Sequence, residues 1–377
     1  MPRILILTAG FGEGHNTAAR CIAEALQENA GVDVRIIDVY IETTPALTKF
    51  LQSGYGLIIN KLPFVWGAIF NLLNQPGKLE ATLPLAGNLR EALRGVVEKY
   101  RPDVMVSTYP LYAYLIRELR KRGHEPSRVP LITMVTDSTA INSSWYRAGS
   151  EAFLVPDEET SEVLSRGGVD RACLQTMGFP VTPRLASLKP LDPSSEGVVK
   201  LLYFPSSRVT HTLAVIRELM AIPDTELTIV TGRLKGLHVA IESAGIIDGV
   251  KSRLVGWTDK VPEFLCSHHL YIGKAGGAIV QEAMAAQCPI LVSHVVPGQE
   301  EGNIEMIERH DIGRLAAHYP ETLAASVRDI FSGNRETWKR WKTNIARLSK
   351  PGASRQIAAF ILGWVGPQDG RHSDSIS

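Results

Sequence analysis

Only four cysteines occur in the 377 residues, Cys21, Cys173, Cys266 and Cys288, and none stands in CxxC or zinc-ligand spacing. That scarcity excludes a disulfide-stapled fold and a cysteine-based metal site, and leaves incidental buried thiols as the expectation. Charge of one sign is also missing: 40 Lys and Arg stand against 39 Asp and Glu, for a formal net charge of +1. Bulk electrostatics therefore gives no support to a nucleic-acid partner. No stretch reaches ~18 uninterrupted apolar residues, so no segment is expected to span a bilayer. The amino-terminal MPRILILTAGFGEGH reads as a buried strand entering a loop, its apolar run being too short for a signal peptide. A soluble or peripheral cytoplasmic protein is the expectation.

Hydrophobic residues make up 45% and charged residues 21%, an ordinary globular balance. The length exceeds what one core usually holds, so two α/β domains are expected. Strand-like apolar runs alternate with helical patterns, as in parallel sheets covered by helices on both faces. The first half places them at 3–8, 32–38, 103–107, 131–136 and 152–155. In the second half they fall at 199–204, 227–231, 252–255, 270–273, 289–293 and 313–316. Between the halves lies GFPVTPRLASLKPLDPSSEG, rich in Pro, Ser and Gly. The expected division is 1–182, a linker at 183–197, 198–350, and a terminal helix with a flexible tail at 351–377.

In doubly wound sheets ligands sit beyond the carboxyl ends of the strands, so the loops there carry the interest. The first is TAGFGEGHNTAA, ending strand one. Its glycines free backbone N–H groups for a polar ligand, but Gly10, Gly12 and Gly14 do not match GxGxxG. His15 opens the following helix and is either functional or a cap. Asp137, in Val135-Thr136-Asp137 after the fourth strand, can orient His15 or take a proton, or else cap a turn. Tyr109 in STYP can hydrogen-bond a substrate or simply pack.

The strongest candidate is IGKAGGAIVQEA. Gly276 and Gly277 allow close approach of a phosphate to a helix start, with Lys274 beside them. Glu282, about one and a half turns into the helix, suits the two hydroxyls of a ribose. The loop VPGQEEGN follows the next strand, and its Gln299 and Glu300 suit sugar hydroxyls. Alone, it would read as a solvated polar loop.

These residues resemble a known family. GKAGGAIVQEAMAAQCPILVSHVVPGQEEGNIEMI is similar to the donor-binding signature of family 28 glycosyltransferases. The nearest branch is that of monogalactosyldiacylglycerol synthases and bacterial processive diacylglycerol glucosyltransferases. GFGEGHNTAA, Val135–Asp137, GFPV and Thr231-Gly232-Arg233 fall where that branch has its other elements, so the likeness runs to about residue 331.

The resemblance implies a GT-B fold: two Rossmann-like domains with parallel sheets facing a central cleft. It also implies a UDP-sugar donor, inversion at the anomeric carbon, and no cofactor or required metal. Glu282 would hold ribose, Gly276 and Gly277 would approach the diphosphate, and Gln299 and Glu300 would bind the sugar. Lys274 and Arg233 also belong to the donor side. His15 and Asp137 would be catalytic, with Gly14, Tyr109 and Trp66 on the acceptor side. Two departures stand out. The usual glycine-rich loop after the first strand of the second domain is FPSSRVTH, where Ser207, Arg208 and Thr210 would substitute side chains for backbone contacts. The family's His in the VSTHP-like loop is Tyr109.

A lipid acceptor is suggested by the apolar, aromatic run at 47–73, which includes Trp66 and is interrupted by Lys61 and Pro63. Such a run suits an interfacial segment, and Arg117, Arg120, Lys121, Arg122 and Arg128 could draw it to anionic lipid at the inner membrane face. The bland alternative is core plus a solvated helix face. The expected reaction is transfer of a hexose from a UDP-sugar to a lipid such as diacylglycerol. The rivals are a UDP-sugar 2-epimerase and a degenerate nucleotide-sugar or lipid binder.

Overall fold

The computed structural model describes residues 1–10, 13–43, 83–137, 141–295, 300–316 and 319–365. The chain divides into two compact units, Met1–Pro183 with Gly352–Ser377, and Arg184–Pro351. Each contains a six-stranded, wholly parallel sheet.

In unit 1 the strands are β1 (Arg3–Leu7), β2 (Asp33–Ile37), β3 (Val104–Ser107), β4 (Leu131–Met134), β5 (Ala152–Val155) and β6 (Leu174–Thr176), in the order β2-β1-β3-β4-β5-β6. The helices are α1 (Glu13–Gln27), α2 (Val39–Thr43), α3 (Gly87–Tyr100), α4 (Leu111–Lys121) and α5 (Glu158–Arg166). Strand RILIL shows why both faces need cover. Alternation sends Leu5 and Leu7 into a core with Val97, Leu115 and Leu119. Ile4 and Ile6 point the other way, toward Ile22 and Leu26 of α1.

Unit 2 has β7 (Val199–Tyr203), β8 (Thr225–Val230), β9 (Ser252–Val255), β10 (Leu270–Lys274), β11 (Ile290–His294) and β12 (Gly313–Leu315), in the order β12-β11-β10-β7-β8-β9. Its helices are α6 (Val209–Met220), α7 (Lys235–Ser243), α8 (Val261–Ser267), α9 (Gly277–Ala285), α10 (Glu301–Arg309), α11 (Pro320–Ile330) and α12 (Glu336–Leu348). One core gathers Leu201, Tyr203, Ile229 and Ile272 with Ile216, Leu219, Trp338 and Trp341. Residues 184–197 are anchored to this unit. Arg184 pairs with Glu263, Leu185 is buried, and Leu191 packs against the same core.

The last helix, α13 (Ala353–Leu362), returns to unit 1 and lies on α1. Ile357, Ala358 and Ile361 are buried beside Ile22 and Leu26. Arg355 grips Glu28 with both nitrogens at 2.8 and 3.0 Å, and Ser354 donates to the Val181 carbonyl. Among the described residues no helix is long and apolar enough to cross a membrane.

Candidate functional site

Sheet order reverses between β1 and β3 in unit 1, and between β7 and β10 in unit 2. At such a reversal the connections leave to opposite faces and open a crevice at the strand ends. Four of the sequence-derived loops fall at these two places, those after β1, β3, β7 and β10, while those holding Asp137, Arg233 and Glu300 follow β4, β8 and β11.

In unit 1, Glu13 opens α1 and His15 sits in its first turn. Its ring is not a cap for its own helix. Nδ1 lies 2.7 Å from Thr136 Oγ1, a residue 121 positions away at the end of β4. Tyr109, after β3, meets the ring edge-on at 5.2 Å, and Trp145 lies at 5.9 Å. Burial pushes the imidazole below its ordinary 6.5, while the charge of Asp137 and a hydrogen bond to the Thr108 main chain pull it back up. The neutral, proton-accepting form is therefore the resting one. Asp137 does not bond the ring. Its Oδ2 accepts from Trp145 Nε1 at 2.7 Å, so it acts on His15 through space.

The loop ahead of His15 is fixed from the other side. Gly10 N–H donates to Asp38 Oδ2 at 2.8 Å, and Asp38 Oδ1 accepts from the Tyr40 N–H at 3.0 Å. Tyr112 Oη donates to the Thr8 carbonyl at 2.7 Å and accepts from Val39 N–H at 3.1 Å. Tyr40, Tyr109 and Tyr112 pack edge to face. Among the described residues, a Cβ added at Gly14 would meet nothing within 4 Å, so none of them fills the space beside that turn.

In unit 2, β10 shifts register between Gly273 and Lys274 and enters a tightly held turn. Buried Tyr271 donates its hydroxyl to the Lys274 carbonyl at 3.1 Å. Asn303, on α10, donates its amide to the Ala275 carbonyl at 2.9 Å. Two carbonyl dipoles that would repel an anion are thereby tied down. Gly276 precedes α9 without a side-chain cap, leaving the first-turn N–H groups of that helix to other partners. Lys274 is exposed, with Nζ 3.9 Å from the buried Glu300 carboxylate, and Glu282 is half-buried on α9.

After β7, Ser207 and Arg208 are exposed at the start of α6, and Thr212 Oγ1 donates to the Ser206 carbonyl at 3.1 Å. Ser206 Oγ itself is buried without a hydrogen bond among the described residues, a side chain that sequence reasoning passed over. Arg233 lines a cavity of about 610 Å³ with Gly232, Lys235, His238, Val239, Gly256 and Trp257, at the ends of β8 and β9.

Several expected residues are not brought into these groups. Gln299, Trp66 and the whole 47–73 run lie outside the described residues. The basic residues expected to face lipid are partly engaged within the protein. Arg120 binds the Ser127 and Val129 carbonyls and Glu151, while Arg117 binds the Arg147 carbonyl and lies over Tyr114. Lys121 pairs with Glu118 and Arg128 with Glu125. Arg117 and Arg120 are thus engaged within the protein, whereas Lys121 and Arg128 stay largely exposed in their surface pairs. Among the described residues, no group of three or more His, Cys, Asp and Glu is arranged to hold a metal.

The monogalactosyldiacylglycerol (MGDG) synthase family model matches residues 15–181, from His15 through Thr136, Asp137 and Trp145. Monogalactosyldiacylglycerol synthase 3 of Arabidopsis thaliana is 25% identical over 377 residues, covering 95% of this chain and 80% of that protein. The processive diacylglycerol beta-glucosyltransferase of Bacillus subtilis is 24% identical over 374 residues, covering 96% and 94%. Among solved structures, the glycotransferase of kitacinnamycin superposes with a TM-score of 0.61 at 16% identity, covering 97% of this chain and 100% of that one. The last likeness shows the fold, two Rossmann-like units of the GT-B class. The resemblance read from the sequence to the diacylglycerol glycosyltransferase branch of family 28 is borne out.

Proposed function

We propose that this chain is an inverting glycosyltransferase that moves a hexose from a UDP-sugar to the hydroxyl of a diacylglycerol-type lipid, working at the cytoplasmic face of a membrane. The observation that carries the reading is the meeting of His15, Thr136 and Asp137, all within the span matched by the MGDG synthase family. A half-buried, neutral imidazole is what a hydroxyl nucleophile needs to lose its proton.

In this mechanism the acceptor oxygen forms a bond to the anomeric carbon as the bond from that carbon to the β-phosphate oxygen breaks. The acceptor proton passes to His15, and UDP departs with the electron pair. Unit 2 supplies the donor side. The start of α9 and Lys274 meet the diphosphate charge, which grows in the transition state. Glu282 takes the ribose hydroxyls, and Glu300 with Gln299 takes the sugar. The cavity beside Trp257 offers an aromatic wall to the rest of the donor. No metal is required in this scheme. The epimerase reading is not favoured, because relatives aligned over nearly the whole chain carry transferase names.

The test is His15→Ala with UDP-hexose donors and diacylglycerol vesicles. Turnover should fall about 10²–10⁴-fold, the worth of a positioned general base, while UDP affinity by calorimetry stays within twofold. Wild-type protein that binds no UDP, or a His15→Ala variant with normal turnover, would sink the reading.

A further inference from the structure

A histidine base is usually oriented by a carboxylate bonded to its second nitrogen, an arrangement that also raises its basicity. Here the carboxylate is present but withheld: Asp137 is bonded to the Trp145 indole, and a hydroxyl stands on the ring nitrogen instead. We propose that Thr136 is the positioning residue of His15, holding the ring in one orientation through both protonation states while Asp137 contributes charge alone.

The chemistry of a hydroxyl makes this arrangement work. A carboxylate can only accept, so it binds a ring N–H and favours the charged ring. A hydroxyl carries one donor and two lone pairs. With Nε2 taking the acceptor proton, Nδ1 is protonated before and after, and the Thr136 hydroxyl oxygen accepts its N–H throughout, so the 2.7 Å contact survives the proton cycle. The ring then turns neither on taking the acceptor proton nor on releasing it. Thr136 is itself well anchored. It follows buried Val135, whose N–H donates to the Leu154 carbonyl at 2.9 Å, and precedes Asp137, pinned by Trp145. β4 thus places a hydroxyl and a carboxylate on consecutive residues, one for orientation and one for field.

The charged and titratable groups facing the ring are Asp137 from the end of β4 and Tyr109 from the loop after β3, with Tyr40 of α2 behind Tyr109. The Thr136 hydroxyl stands on Nδ1 at 2.7 Å, and the ring also hydrogen-bonds the Thr108 main chain.

This inference rests on the transferase reading for its kinetic consequence, but its geometry can be tested without it. In the free protein, nitrogen-15 NMR of the His15 ring should show an Nδ1 hydrogen bond in wild type and Thr136→Ser, and its loss in Thr136→Val. In turnover with UDP-hexose and diacylglycerol vesicles, Thr136→Val should fall about 10²-fold through misplacement of the base. KM for the donor should be unchanged, and Thr136→Ser should recover most of the rate. Thr136→Asp, which puts a carboxylate on the ring nitrogen, should move the acid limb of the pH–rate profile upward. An unaltered ring spectrum in Thr136→Val, or a serine variant as slow as valine, would overturn the assignment. Absent turnover in wild type would defeat the transferase reading and leave the NMR comparison to decide the positioning role.

Discussion

Replacing Trp145 with phenylalanine separates the two jobs of that indole. Its ring system is 1% exposed and packs with Val135, Phe153, Val155 and Leu164, whereas its Nε1 holds Asp137 Oδ2 at 2.7 Å. Phenylalanine keeps most of the aromatic bulk, so the packing loss should be modest, about 1–2 kcal/mol by analogy with other large-to-small core changes. Removing a hydrogen bond to a charged group costs about 1.5–3 kcal/mol. Asp137 is only half-buried, so water replaces part of that bond and the lower end of the range applies. A carboxylate no longer held close to His15 also withdraws the charge that raises the imidazole, which leaves the ring a weaker base. Carried fully into the transition state, ~1.5 kcal/mol is about tenfold in rate. The assay is turnover and thermal midpoint for Trp145→Phe, Asp137→Asn and the double variant. If the indole acts through the carboxylate, the double variant should be no slower than Asp137→Asn. Additive losses, or a lowered midpoint with unchanged turnover, would show that Trp145 merely packs.

Glu282→Ala should weaken UDP binding by about 1.5–3 kcal/mol in calorimetry without unfolding the protein, since it shortens a half-buried polar side chain. His268 and His269 are held at about 4 by burial, below their ordinary 6.5. The unfolded chain therefore binds protons first, and the stability these rings contribute is full above pH 6.5 and lost as pH falls toward 4. The ceiling is roughly 3 kcal/mol per ring. Urea midpoints at pH 7 and 4.5 should converge in a His268→Gln, His269→Gln variant, and an equal acid loss there would refute the assignment. Cys266 and Cys288, pushed up to about 11 and about 12 by burial, should resist alkylation in native protein and react only after unfolding. Deleting residues 47–73 should abolish co-sedimentation with diacylglycerol vesicles, and retained binding would assign the lipid contact elsewhere.

Strands were the legible part of this chain. Each apolar run read from the sequence corresponds to an observed strand, because a buried parallel strand is hydrophobic on both sides and stands out between turn residues. The missed one, β6, is three half-buried residues, Leu-Gln-Thr, with no pattern to find. The stretch read as a linker looked polar and proline-rich, yet Leu185 is buried, a property its neighbours in sequence do not reveal. At the site, His15 and Asp137 were visible from their places after strands. Thr136 and Trp145 were not, since only folding brings position 136 to position 15 and turns an indole N–H onto a carboxylate. The engagement of Arg120 was equally hidden, because Glu151 is 31 residues away. Lys121 and Arg128, by contrast, have carboxylates three residues off, a pairing that spacing alone could have suggested.

The return of α13 to unit 1 imposes an order of events on the newly made chain. Ile4 and Ile6 are made before unit 2, yet the helix that helps cover their face of the sheet is made after it. Unit 2 occupies residues 184–351 in between. At about 5–20 residues per second, the amino-terminal sheet waits roughly ten to thirty seconds for that helix. During this interval α1 presents an apolar flank, including Ile22 and Leu26, that nothing else in the described chain covers in the same way. The salt bridge between Arg355 and Glu28 can form only once α13 has been made and has returned to α1.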